Sequence, residues 1–176
     1  DNAGEAYLFD GSSGALIRTV ANPLPATGDL FGSALADVGG DMLITAPVSD
    51  ASAISVGAGY LFDSTTGMLL QIFQKPVPTL DDEFGFSATA VGTDKIAIGA
   101  RLDDTGVSNS GAVYLFHVTT GVLLQTFQKP LPVTTDYFGQ TLTSLGSRVI
   151  VGAPLDDSVE FDAGAVYAFL DSSCGN

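Results

Sequence analysis

Carboxylates are the residues in this chain whose type and spacing point to chemistry. Twenty Asp and Glu stand against six Lys and Arg, with one His and one Cys in 176 residues. The acids fall into two series of loops. One series carries Asp29, then Asp81, Asp82 and Glu83, then Asp136. The other carries Asp50, then Asp103 and Asp104, then Asp156, Asp157, Glu160 and Asp162. Oxygen-rich clusters suit hard cations such as calcium, which makes Asp103, Asp104, Asp156, Asp157 and Asp162 the candidate metal ligands. The same residue type caps turns by accepting backbone N–H bonds and keeps a Gly-rich surface soluble, so a structural reading stands beside the calcium one. Glycoside hydrolysis needs one carboxylate pair at a set separation. Many acids share these loops, and nothing distinguishes one pair.

Other catalytic patterns have less support. His117 stands where the corresponding residues are Asp10 and Asp63, at a strand end beside a turn; it reads as a surface substitution rather than a base. There is no Cys/His pair, and no Ser has a His recurring beside it. The stretch Asp37-Val38-Gly39-Gly40 lacks the following helix or Lys of a phosphate cradle. No catalytic residue is assigned, and the chain is not expected to be an enzyme. A net charge of -14 repels phosphate backbones, so nucleic acid is not an expected partner. No stretch reaches the roughly 18 apolar residues of a membrane span. The chain begins in mid-pattern at Asp1, so any targeting peptide is expected to have been removed or to lie outside this sequence. Cys174 has no internal partner; it reads as a free thiol, or as a cross-link to another chain or to a segment outside this sequence. There is no Asn-x-Ser/Thr acceptor for N-glycosylation.

The elements that position the acids follow from a repeat. Phe31-Gly32, Phe84-Gly85 and Phe138-Gly139 step by 53 and 54 residues, and Tyr7, Tyr60, Tyr114 and Tyr167 keep the same beat. So do Gly14, Gly67 and Gly121, and Pro23, Pro76 and Pro130. A period of this length marks a repeat architecture. Apolar runs are short, β-branched or aromatic, and flanked by Gly, Pro, Asp or Thr, which predicts strands throughout. In the first full unit, strands are expected over 31–38, 42–46, 57–62 and 68–73. The stretch 63–67 is a hairpin turn in which Gly67 is free to take positive φ, and Pro76 and Pro78 stop the last strand. The chain therefore reads as all-β, with propeller blades of four antiparallel strands. The units run approximately 1–30 (partial), 31–83, 84–137 and 138–176 (partial). Counting gives two, four, four and three strands, about three blades plus one strand. A ring needs roughly four to eight blades, so the set is incomplete or completed by other segments or chains, and exposed edges must be covered. The aromatics Tyr60, Phe62, Tyr114, Phe116, Tyr167 and Phe169 recur in every unit, as inter-blade packing does.

Phe-Gly opening a strand, Ile98-Gly99-Ala100-Arg101 or Val151-Gly152-Ala153-Pro154 closing the next, and Gly111-Ala112-Val113-Tyr114-Leu115-Phe116 after a loop resemble FG-GAP repeats. These are the blades of integrin-α-like β-propellers, here most similar to a secreted bacterial type. The resemblance extends from Gly4 to Phe169 and implies a non-enzymatic extracellular or cell-surface scaffold or adhesion module that binds other proteins. It also implies a calcium loop between the first two strands of each blade. The matching turns, 37–41, 91–95 and 145–148, hold two, one and no acids and are too short to wrap an ion, so those sites are not carried over. Two other readings remain: a subunit assembling head to tail with copies of itself, since the ends are complementary, and a metal-dependent glycan-binding module or hydrolase using the acidic loops.

Overall fold

The computed structural model describes residues 3–50 and 56–170; the expectation about Cys174 lies outside them. Every regular element described is a strand. The first sheet holds β1 (Glu5–Phe9) and β2 (Leu16–Ala21); the second β3 (Leu35–Val38), β4 (Asp41–Ala46), β5 (Ala58–Phe62) and β6 (Leu69–Phe73). The third holds β7 (Phe84–Val91), β8 (Lys95–Ala100), β9 (Ala112–His117) and β10 (Leu123–Phe127). The fourth holds β11 (Thr141–Leu145), β12 (Arg148–Ala153) and β13 (Ala165–Leu170). Each sheet is an antiparallel meander in chain order, and the sheets hold two, four, four and three strands, the expected count.

The first strands of the second, third and fourth sheets lie side by side, with β7 touching both β3 and β11. This is the inner edge of a stack of propeller blades. Hydrophobic cores form between sheets rather than inside one. Leu43, Leu61 and Phe73 of the second sheet share a core with Phe84, Ile96, Ile98, Tyr114 and Phe116 of the third. Val113, Leu115 and Phe127 of the third do the same with Phe138, Val149 and Val151 of the fourth. The recurrent aromatics stitch these layers. Phe73 meets Phe116 with ring centroids 5.6 Å apart, and Phe127 meets Phe169 at 5.0 Å. Such offset and tilted contacts add to burial.

One strand start in the first full unit differs from expectation by more than a residue. The element expected over 31–38 begins at Leu35, because the Phe-Gly pair sits in a bulge. Gly32 takes φ of 100°, and the Gly32 and Ser33 N–H groups both bond to Thr45 O. The extra residue re-aims the chain toward the preceding blade. In the third sheet the same irregularity falls inside β7, between Phe84 and Ser87.

Candidate functional site

The polar side chains that the fold buries most deeply lie at the junctions between blades. The loop leaving each outer strand holds an Asp flanked on both sides by residues in the left-handed region. Gly28 and Leu30 surround Asp29, Asp81 and Glu83 surround Asp82, and Thr135 and Tyr137 surround Asp136. Such backbone costs about 1–3 kcal/mol per non-Gly residue. It folds the loop back so that the carboxylate points inward. There each Asp caps its own loop: Ala26, Thr79 and Val133 donate their N–H to Asp29, Asp82 and Asp136 at 2.7, 3.0 and 2.6 Å.

A buried Lys completes two of the junctions. The ammonium of Lys75, at the end of the second sheet, lies 2.6 Å from Asp82 Oδ2 and 2.9 Å from Asp103 Oδ2. Asp103 belongs to the loop between β8 and β9, so the ion pair ties one blade to the next. Tyr114 donates its hydroxyl to Asp103 Oδ2 at 2.6 Å, and Thr105 N–H donates to Oδ1 at 2.7 Å. One repeat on, Lys129 lies 3.0 Å from Asp136 and 3.1 Å from Asp156. Tyr167 and Ser158 N–H complete Asp156 at 2.6 and 2.7 Å. Both Lys and all four Asp are buried. Burying charge is costly unless it is paired and hydrogen-bonded, and here nearly every oxygen is met.

The first junction solves the same problem without a cation. Asn22 stands at the Lys position and Ser49 at the position of Asp103 and Asp156. Asn22 Nδ2 donates to Asp29 at 2.6 Å, and Ser49 Oγ lies 3.0 Å from Tyr60 Oη. Lys and one Asp are lost together, so each junction keeps a formal charge of minus one.

Electrostatics follow from this packing. Burial pushes the Asp103 carboxyl up, but hydrogen bonds from Lys75, Thr105 and Tyr114 outweigh it and its pKa falls below the ordinary value. Asp156 goes the same way, to about 2, with Ser158, Tyr167 and Lys129 overcoming burial. Asp82 moves up instead: burial dominates over Lys75, and its Oδ1 has no hydrogen-bond partner. Burial and the bond to Asp103 raise the Tyr114 hydroxyl strongly.

The acids proposed as ligands are therefore spread over separate junctions. Asp103 and Asp156 hold Lys ammonium groups inside the protein. Asp104 Oδ1 accepts the Asn109 N–H at 2.7 Å and Asp157 Oδ1 the Asp162 N–H at 2.6 Å, each closing its loop. Asp162 itself has positive φ. Among the described residues, no group of three or more His, Cys, Asp or Glu is placed to hold a metal ion. His117 caps its hairpin turn. Its Nδ1 accepts the Thr120 N–H at 3.4 Å, as Asp63 accepts Thr65 and Thr66 in the equivalent turn. Of the acids in the two loop series, five, Asp29, Asp82, Asp103, Asp136 and Asp156, are buried.

Sequence reasoning missed Lys75 and Lys129. Their signal was present: two of only six basic residues follow Phe-Gln and precede Pro at the same repeat position.

No curated protein matches the chain. FG-GAP repeats are generally non-catalytic interaction modules, and this family matches the loops and inner three strands of the last two sheets. The FG-GAP repeat family is thus what the chain is similar to, with matches over residues 79–116 and 132–169.

Proposed function

We propose that the chain is a blade segment of an extracellular or cell-surface β-propeller that acts as a scaffold or adhesion module by binding other proteins. One observation carries this reading. Leu24, Val77 and Leu131 occupy the same repeat position, each between two prolines, and all three are exposed. Proline fixes the backbone on either side, so an apolar tip loses little freedom when a partner covers it. Three such tips recur at the same place in successive blades, a regular set of exposed apolar contacts.

Antibody against the chain should stain intact source cells, and added chain should compete with their attachment to a surface. A triple variant, Leu24→Ser, Val77→Ser and Leu131→Ser, should lose that competition while melting like the wild type. Staining only after permeabilisation, or full competition by the triple variant, would overturn the reading.

Self-assembly is a second reading, favoured by the exposed β13 face. A solution mass that rises with concentration supports it; a constant monomer mass sinks it.

A further inference from the structure

Three times in this chain, a blade receives the Phe-Gly pair of the next blade in the same backbone cradle. Phe31, Phe84 and Phe138 donate their N–H to the carbonyls of Ala3, Val56 and Ser110 at 3.2, 3.2 and 3.0 Å. The following residues, Gly4, Gly57 and Gly111, all have positive φ, and a Cβ on any of them would overlap the Phe carbonyl oxygen. Next to them, a Cβ on Gly85 or Gly139 would come within 3.0 or 2.9 Å of the Ala58 or Ala112 carbonyl. Ser87 adds a hydroxyl that donates to Gly139 O at 2.5 Å.

A fourth cradle lies at the outer face of the last sheet. Ala163 and Gly164 occupy the same repeat positions, and Gly164 has the same positive φ, 72°. The atoms nearest to a Cβ there are the Pro154 backbone of its own blade. Thr141 stands at the Ser87 position, and together with Gly152 and Gly164 it lines a cavity of about 490 Å³. Val166, equivalent to the fully buried Val113, is 73% exposed.

We propose that this cradle is a docking site for a further blade of the same type, one whose first strand opens with Phe-Gly. The inference rests on reading the chain as a propeller interaction module. Its occupant follows from continuity with the three filled cradles: Ala163 O accepts the Phe N–H, Gly164 leaves room for the Phe carbonyl, and Thr141 Oγ1 donates to the Gly carbonyl. Val166 closes over the seated strand.

The full chain, isotope-labelled and dilute, is titrated with a synthetic peptide of its own residues 132–145, which carries Phe138-Gly139. Saturable amide shifts are expected at 163–167. A Gly139→Val peptide should bind at least about tenfold more weakly, a loss of about 1.4 kcal/mol. The Val166→Asp chain should lose affinity to the same degree while keeping the wild-type melt. Thr141→Val should weaken binding about fivefold, as for one hydrogen bond. No saturation by about 1 mM peptide, a free energy near 4 kcal/mol, overturns the proposal. So does equal binding of the Gly139→Val peptide, or of the Val166→Asp chain. Self-association that Val166→Asp abolishes, without any peptide effect, overturns it in favour of a second copy on this face. Peptide binding with failed cell staining removes only the adhesion reading; staining without peptide binding removes only the cradle.

Discussion

Strands β9 and β13 share almost the same sequence, Ala-Val-Tyr-Leu-Phe-His and Ala-Val-Tyr-Ala-Phe-Leu, yet sit in opposite environments. In β9 every residue but His117 is buried; in β13 burial alternates between half-buried and exposed. Each has an inner neighbour, β8 or β12, pairing in the same register. What differs is the surroundings. β9 has β10 on its outer edge and a following blade against its second face, whereas among the described residues β13 has neither. The comparison teaches that a blade makes only half of its own core. Hydrophobic area counts as stabilising when something removes it from water, and in a stacked fold that something is the next repeat.

The sharpest way to break the comparison is a charge at equivalent sites. Val113→Asp should cost more than about 4 kcal/mol, because an unpaired carboxylate would sit in the core between the third and fourth sheets. Val166→Asp should change stability by no more than about 0.5 kcal/mol, as for exposed sites. Urea denaturation of both variants reads the difference, and comparable losses would refute the one-sided burial of β13.

The junctions offer the next largest effect. Lys75→Asn leaves Asp82 and Asp103 buried together without a cation and should cost about 3–5 kcal/mol. Adding Asp103→Ser recreates the Asn22–Asp29–Ser49 arrangement, and the double variant should recover all but about 1–2 kcal/mol of that loss. Additive losses in a double-mutant cycle would show that the three junctions are not interchangeable solutions.

Tyrosine removal sharpens the strand comparison further. Tyr114→Phe should cost about 1–3 kcal/mol, since Asp103 loses a donor in a fully buried site. Tyr167→Phe on the half-buried β13 should cost less, and thermal melts rank the two. An equal or reversed order would mean that the half-buried Tyr167 hydroxyl is held as firmly as the buried one of Tyr114.

The acid limb of stability gives a smaller signal. Asp156 is depressed to about 2 in the folded chain, against about 3.9 when unfolded. Its contribution is complete above the unfolded value and disappears as pH falls toward 2. Asp82 has the opposite sign, because its folded pKa is raised: protonation relieves its burial, so it opposes acid unfolding. Tyr167→Phe should lift the Asp156 pKa and move the acid limb to higher pH, followed by carboxyl-carbon NMR. An unchanged Asp156 titration in that variant would contradict the role given to the Tyr167 hydroxyl. Smallest of all, His117→Asp restores the carboxylate cap of the other hairpins and should shift stability by at most about 0.5 kcal/mol.

Much of the fold is legible in the sequence because its signals are local. The Thr-Gly hairpins, the Pro-x-Pro stops and the Phe-Gly openings each act within a few residues, and the period counts the sheets. Chemistry at the site was less legible. In sequence, Asp103 carries both a calcium-ligand and a loop-cap reading, because a carboxylate's partner depends on residues 28 positions upstream at Lys75 and 11 downstream at Tyr114. The bulge at Gly32, which delays β3 to Leu35, likewise depends on Thr45 in the neighbouring strand.

By itself, the sequence determined an all-β repeat of four-stranded units, the order of strands and the position of each turn. These follow from residue-level conformational preference and a period that any reader can measure. Only the tertiary structure decided that Lys75 and Lys129 bridge blades, that five of the loop acids lie inside the protein, and that β13 is half-open where β9 is closed. The physical reason is shared by all three: burial and ion pairing belong to contacts between blades, and a chain's local pattern is the same whether or not a neighbour is there to meet it.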